Sequence, residues 1–202
     1  YRDIKRGMLP PKVARIMANL ALCGMSGKTL YDPFCGTGTV LAEGALIGAK
    51  ELYGSDTNKT AVDGALMNLD WISATYPNST TIKHLEVADA THPPFSSVDA
   101  IATEPYMGPL LDERNPLPLD KIKDIAKGLD KLYRGAFKAW YNILPKGGRV
   151  VMTIPSFAVY GRVIPTISVD TVVSLGYNYI SSVAYGKPGA TVIRNITVLE
   201  KK

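Results

Sequence analysis

The chain has 202 residues, 46% of them hydrophobic and 20% charged, with a formal net charge of +5. A chain of this length can bury about 70% of its unfolded surface without disulfide staples, no run approaches the ~18 apolar residues of a membrane span, and neither a signal-peptide pattern nor a cysteine framework is present. These features predict a single domain over residues 1–202 in a reducing, cytoplasmic setting, with a modest basic excess that permits an anionic partner such as nucleic acid without demanding one.

Taken in chain order, Pro10 and Pro11 mark a helix start, and Val13, Ile16, Met17, Leu20 and Leu22 follow at helical spacing. KTLYD reads as a short strand, the glycine-rich DPFCGTGT as a turn, and VLAEGALIGA as a helix. ELYGSD is a second strand ending at Asp56, and TAVDGALMNLDWISAT is a helix on which Val62, Leu66, Leu69 and Ile72 recur at helical intervals. TIKHLEVADAT alternates and predicts a third strand ending at Asp89. VDAIATEPY predicts a fourth, stopping at Glu104. LDKIKDIAKGLDKLYRGAFKAWYNIL predicts the longest helix, with Ile122, Ile125, Leu129, Leu132, Ala136, Trp140 and Ile143 on one face and lysines on the other. GGRVVMTIP is a fifth strand, and IPTISVDTVVSLG predicts a helix closed by Gly176. Two last strands, YNYISSVAYG and TVIRNITVLEK, are joined by the turn signal KPGA.

A helix followed by about five β-α units and a closing hairpin predicts an α/β fold. Its seven-stranded sheet is mostly parallel, with helices on both faces and an antiparallel hairpin strand at one edge. In such sheets ligands sit beyond the carboxyl ends of the strands. Asp32, Asp56, Asp89 and Glu104 fall at four successive strand ends, which singles out that edge.

The glycine turn narrows the ligand. A dinucleotide turn needs G-x-G-x-x-G; Gly36 and Gly38 are present, but Leu41 takes the third position and Asp32 would repel a pyrophosphate. A cationic ligand without phosphate suits the turn better. S-adenosylmethionine fits, with a sulfonium, an amine and a ribose. Asp32 would take the amine or lie near the sulfonium, and Gly36 and Gly38 allow close backbone approach. Asp56, about 20 residues beyond Gly36, stands where an acid grips ribose hydroxyls. Asp89 would accept from the adenine amino group.

DPFCGTGT followed by EPY resembles the amino-group methyltransferases of the class I, S-adenosylmethionine-dependent fold. The sequence is most similar to the tRNA guanine N2-methyltransferases that carry an N-terminal THUMP domain. RGMLPPKVARIMANLA resembles the helix those enzymes place before the glycine motif to cradle the methionine end of the cofactor, within residues 1–27 here. The resemblance runs from about Arg6 to Pro109 and thins from Leu110 onward. It implies a Rossmann-like class I fold, a tRNA substrate, no metal and no membrane. It also implies an S-adenosylmethionine site at Pro11, Asp32, Pro33, Phe34, Cys35, Gly36, Thr37, Gly38, Asp56, Thr57, Asp89, Ala90 and Glu104. The chain opens at Tyr1 and carries no THUMP sequence, so either an RNA-binding domain is expected outside it or this branch binds its substrate another way. One departure is plain: the family signature at the fourth strand end is Asp/Asn/Ser-Pro-Pro-Tyr/Phe, whereas this chain reads Thr103-Glu104-Pro105-Tyr106.

The chemistry of that corner follows from the acceptor. An exocyclic amine is a poor nucleophile because its lone pair is delocalised into the ring. Two acceptors on its N–H bonds redirect the lone pair: the Glu104 carboxylate and the Pro105 carbonyl. Tyr106 offers a π-face for an unpaired base. Guanine presents N1–H beside its amino group, and one carboxylate can accept both; adenine presents a donor beside an acceptor, which suits Asn. Guanine is therefore favoured, with adenine N6 methylation of DNA or another RNA as the alternative. A module that binds S-adenosylmethionine or RNA without turnover is a third reading, and Leu41 with Asp32 disfavours an oxidoreductase. Cys35 is expected to be a small buried residue rather than a nucleophile, since no His stands in a matching motif. Arg6, Lys187 and Arg194 are expected to contact substrate phosphates, and the lysines at 121, 123, 127 and 131 to form a solvated helix face. The nucleotide position and the oligomeric state stay open.

Overall fold

A computed structural model describes residues 9–24, 27–111, 117–187 and 189–202. Arg6, expected to contact phosphate, lies outside them. The elements are α1 (Pro11–Leu22), β1 (Leu30–Asp32), α2 (Thr39–Leu46), β2 (Leu52–Asp56), α3 (Lys59–Thr75), β3 (Lys83–Val87), β4 (Ala100–Thr103), α4 (Leu119–Ile143), β5 (Arg149–Val159), β6 (Arg162–Pro165), α5 (Val169–Ser174), β7 (Tyr177–Tyr185) and β8 (Val192–Lys201).

The strands form one sheet in the order β3-β2-β1-β4-β5-β8-β7, with β6 paired to β5 off this path. β1, β2, β3, β4 and β5 run parallel, and β8 is antiparallel to both β5 and β7. The path reverses at β1, which pairs β2 on one side and β4 on the other. That reversal opens the crevice beyond the carboxyl ends of β1 and β4 where doubly wound sheets bind ligands.

Two cores sandwich the sheet. One joins the buried faces of α1, α2 and α3 to Leu30, Leu52 and Val151. The other joins α4 and Val172 of α5 to Tyr31, Ile101 and Met152. The alternation of partners along a strand (Leu30 to one side, Tyr31 to the other) is the period-2 rule at work. α1 begins with proline at its first turn, as expected, but buries Val13, Ala14, Met17, Ala18 and Ala21, leaving Ile16 and Leu20 exposed. Small alanines let the helix lie close to its neighbours. No helix among the described residues is long and apolar enough to cross a membrane.

Two expectations need correction. The sheet has eight strands rather than seven, because β5 runs on to Val159 and turns back through Tyr160 (φ 51°) and Gly161 (φ 69°) into β6. Two successive positive φ values make the two-residue turn that joins twisted strands, and Tyr-Gly is a weak signal for it. The predicted helix from Ile164 is accordingly short, starting only after the Ser168 side chain caps it through Thr171 N. No helix links β3 to β4. That segment instead folds against the sheet through Phe95, edge-on to Tyr31 and Tyr53, and through the Ala90 carbonyl, which accepts from Trp140 Nε1 at 3.0 Å.

Candidate functional site

The glycine turn is built by its neighbours. Cys35 N donates to Ser55 O at 2.9 Å, which ties the turn to the end of β2. Asp56, last in β2, accepts from Gly36 N at 3.0 Å through Oδ2 and from Asn58 N at 2.9 Å through Oδ1. Asn58 in turn caps α3 by accepting from Thr60 N and Ala61 N. From α3, Asn68 Nδ2 donates to the Thr37 carbonyl at 2.8 Å. Gly38 (φ 83°) packs on Ala65, where a Cβ would stand 3.1 Å from another Cβ. Gly36 (φ 50°) differs: a Cβ there would meet nothing within 4 Å. The backbone at Gly36 therefore borders open space, and only a residue tolerant of positive φ suits it.

Asp32 ends β1 and is 2% exposed. Its Oδ1 accepts from Thr103 Oγ1 at 2.6 Å and from Phe34 N at 3.1 Å. Burial pushes its carboxyl up to about 7 against the pull of those two donors, and the charges of Asp56 and Glu104 add to the rise. Folding thus favours the protonated form. The stability this contributes is present below the ordinary carboxylate range and is lost as pH rises through about 7. Urea unfolding of wild type against Asp32→Asn should show it: the wild type loses up to about 1.4 kcal/mol per pH unit more than the variant across that window. Parallel curves would place Asp32 in an ordinary environment.

Glu104 follows β4 directly, its side chain 14% exposed. Its Oε1 accepts from Arg194 Nε at 2.9 Å. Burial raises its pKa, while the Arg194 guanidinium pulls it down. Pro105 is buried and Tyr106 is 57% exposed, its ring presented to solvent. The Tyr106 carbonyl is pinned by Tyr133 Oη of α4 at 2.7 Å.

The remaining expected residues fall as follows. Pro33 and Cys35 are buried, Phe34 and Thr37 half-buried, Thr57 exposed, and Pro11 is exposed at the first turn of α1. Burial pushes the Cys35 thiol up, which denies it a thiolate. Asp89 lies two positions beyond the end of β3, exposed, its carboxyl held low by Thr91 N and Thr91 Oγ1. Ala90 is buried beneath Trp140. Lys187 is exposed in the hairpin turn, and its carbonyl accepts from Ala190 N. Arg194, expected to contact a substrate phosphate, pairs here with Glu104, Nε to Oε1 at 2.9 Å. Thr103, Asn68, Tyr133 and Trp140 hold the site in place, a role the sequence does not assign to them. Thr103 stands next to Glu104 and could have been suspected; nothing local marks the other three.

The chain is 34% identical over 152 residues to the tRNA (guanine(10)-N2)-dimethyltransferase of Pyrococcus abyssi, covering 73% of this chain and 39% of that protein. It is 30% identical to the enzyme of that name from Methanothermobacter thermautotrophicus, covering 75% and 40%. The chain thus spans about two-fifths of the length of these curated relatives. Among solved structures, TrmN from Thermus thermophilus superposes with a TM-score of 0.69 at 24% identity, over 98% of this chain and 51% of that one. The magnesium protoporphyrin IX methyltransferase of Synechocystis PCC 6803 with bound SAM gives 0.64 at 16% identity, over 95% and 79%. Both likenesses place the fold among Rossmann-like class I methyltransferases. Residues 1–164 match the UPF0020 family, the RMKL-like methyltransferase domain, and the chain belongs to that family.

Proposed function

We propose that this chain is the catalytic domain of a cytoplasmic, S-adenosylmethionine-dependent enzyme that methylates the exocyclic N2 amino group of a guanosine in tRNA. The residues fit that cofactor. The cradle over Gly36 is open, and the groups around it are acceptors: Asp32, Asp56 and, one strand away, Glu104. Such a set suits a ligand of cations and hydroxyls and rejects a phosphate. The cofactor supplies a methyl group activated on a sulfonium. Asp56 would accept from ribose hydroxyls, Asp89 from the adenine amino group, and Asp32 would offset positive charge. Binding a cation beside Asp32 favours its ionised form, so affinity should fall as pH drops below about 7.

Glu104 would accept an N–H of the substrate amine, and the Pro105 carbonyl the other, which turns the nitrogen lone pair outward. Positive charge then develops on that nitrogen, and a fixed carboxylate stabilises it. Holding both reactants in line can contribute as much as ~7–11 kcal/mol. Tyr106, exposed and fixed at its carbonyl by Tyr133, would stack on the base.

The observation that carries this reading is the Glu104 carboxylate at the end of β4, beside the switch point, in a chain whose relatives bear the name of a guanine N2 enzyme. The test is transfer of tritiated methyl from S-adenosylmethionine by the full-length protein, followed by digestion of the RNA. Label in N2-methylguanosine of tRNA supports the reading. Label in N6-methyladenine, or cofactor binding with transfer to no nucleic acid, would overturn it.

A further inference from the structure

We propose that Arg194 is a positioning residue that anchors the Glu104 carboxylate by one oxygen and leaves its second oxygen free for the substrate amine. The inference rests on the reading of Glu104 as the amine acceptor. β4 and β8 are not neighbours, since β5 lies between them. At sheet spacing their backbones are therefore about 9.6 Å apart. Arg194 sits in register with Pro155, beyond the last β4–β5 pair at Thr103 and Met152. Its side chain must run back across β5 to reach Glu104, and it does so with Nε 2.9 Å from Oε1. Only a long cation on β8 and a long acid on β4 can close that gap. An aspartate at 104 would stop one C–C bond, about 1.5 Å, short.

The contact is built rather than incidental. The Glu104 and Arg194 side chains are 14% and 27% exposed, unlike a solvated surface pair. Oε1 is the oxygen engaged; among the described residues Oε2 makes no hydrogen bond. The other titratable groups interacting with Glu104 are Asp32 from β1 and Tyr133 from α4. Asp32 repels an ionised Glu104, and Tyr133 gives its proton to the Tyr106 carbonyl. Among the described residues Arg194 is therefore the cation that opposes burial. Without it nothing opposes the rise that burial causes, and the protonated form, which presents a donor to the amine where an acceptor is needed, gains ground.

The test combines a titration that needs no activity with kinetics of the full-length protein. Carboxyl NMR of the Glu-labelled chain should show Glu104 titrating at least about one pH unit higher in Arg194→Ala, with Arg194→Lys close to wild type. Below the variant's Glu104 pKa each unit of rise lowers the ionised fraction by up to about tenfold, so kcat should fall in step with that fraction, most at the acid end of the profile. The loss should shrink as pH is raised, with KM for RNA and cofactor affinity within about twofold. In a Glu104→Gln background, Arg194→Ala should cost less than about twofold, because the two act as one unit. An unmoved Glu104 titration overturns the proposal, and so does a raised KM for RNA with kcat retained, which would return Arg194 to phosphate contact. If the titration moves but wild type methylates no RNA, the pairing stands and the guanosine reading is what fails. Arg194→Gln, close in size, carries the same readouts should the alanine variant not fold.

Discussion

Replacing Glu104 with alanine should lower methyl transfer at least ~100-fold, the scale of losing one preorganised electrostatic contact in a water-poor site. Cofactor affinity should stay within a few-fold, since the contacts proposed for Asp56 and the glycine turn, which Asp56 ties together through Gly36 N and Asn58 N, do not pass through residue 104. The cost arises at the amine. An alanine offers no acceptor, the lone pair stays in the ring, and charge on nitrogen meets the Arg194 cation instead of a carboxylate. Glu104→Gln separates charge from shape: it keeps an acceptor oxygen but not the negative charge, so it should recover binding of the base without recovering the rate. Glu104→Asp should also be impaired, because the shorter side chain loses the reach to Arg194. Single-turnover rates with calorimetric cofactor binding check all three. Alanine with turnover near wild type would remove Glu104 from the chemistry.

Asp56→Ala should act on the other reactant. The carboxylate holds Gly36 N and Asn58 N, and in the proposed function it also accepts from ribose hydroxyls. Hydrogen bonds to a charged group are worth roughly 1.5–3 kcal/mol each. Loss of the hydroxyl contacts and of the Gly36 anchor together should weaken cofactor binding by about 100-fold or more. The turnover of a saturated enzyme should fall much less, because the amine clamp is intact. Asp56→Asn retains one acceptor and should lie between. Calorimetry over a cofactor series decides it, and unchanged affinity in Asp56→Ala would move the ribose contact elsewhere on the turn.

The placement of three acids at strand ends is legible in the sequence. Asp32 and Asp56 were expected at strand ends and are the last residues of β1 and β2; Glu104 was expected at the fourth and follows β4 directly. The alternating order of strands and helices announced the parallel sheet, because that alternation leaves few ways to bury both faces. Less legible were features whose cause lies far along the chain. The β5–β6 hairpin turns on a Tyr-Gly pair with little propensity of its own. The β3–β4 connection takes its shape from Trp140 and the Tyr31–Phe95–Tyr53 cluster, not from local pattern.

Local sequence by itself determined which groups exist at the strand ends: the two glycines that accept positive φ, the acids, and the Glu-Pro-Tyr corner. Those are properties of residue type and near-neighbour spacing, readable where they stand. Only the tertiary structure decided what the acids do with their charge. It buried Asp32 under Thr103, bound Asp56 to the turn it serves, and brought Arg194 back across β5 onto Glu104, 90 positions away in the chain. The reason is that a carboxylate's protonation and aim depend on burial and on the nearest cation, and both are set by which strands the fold makes neighbours.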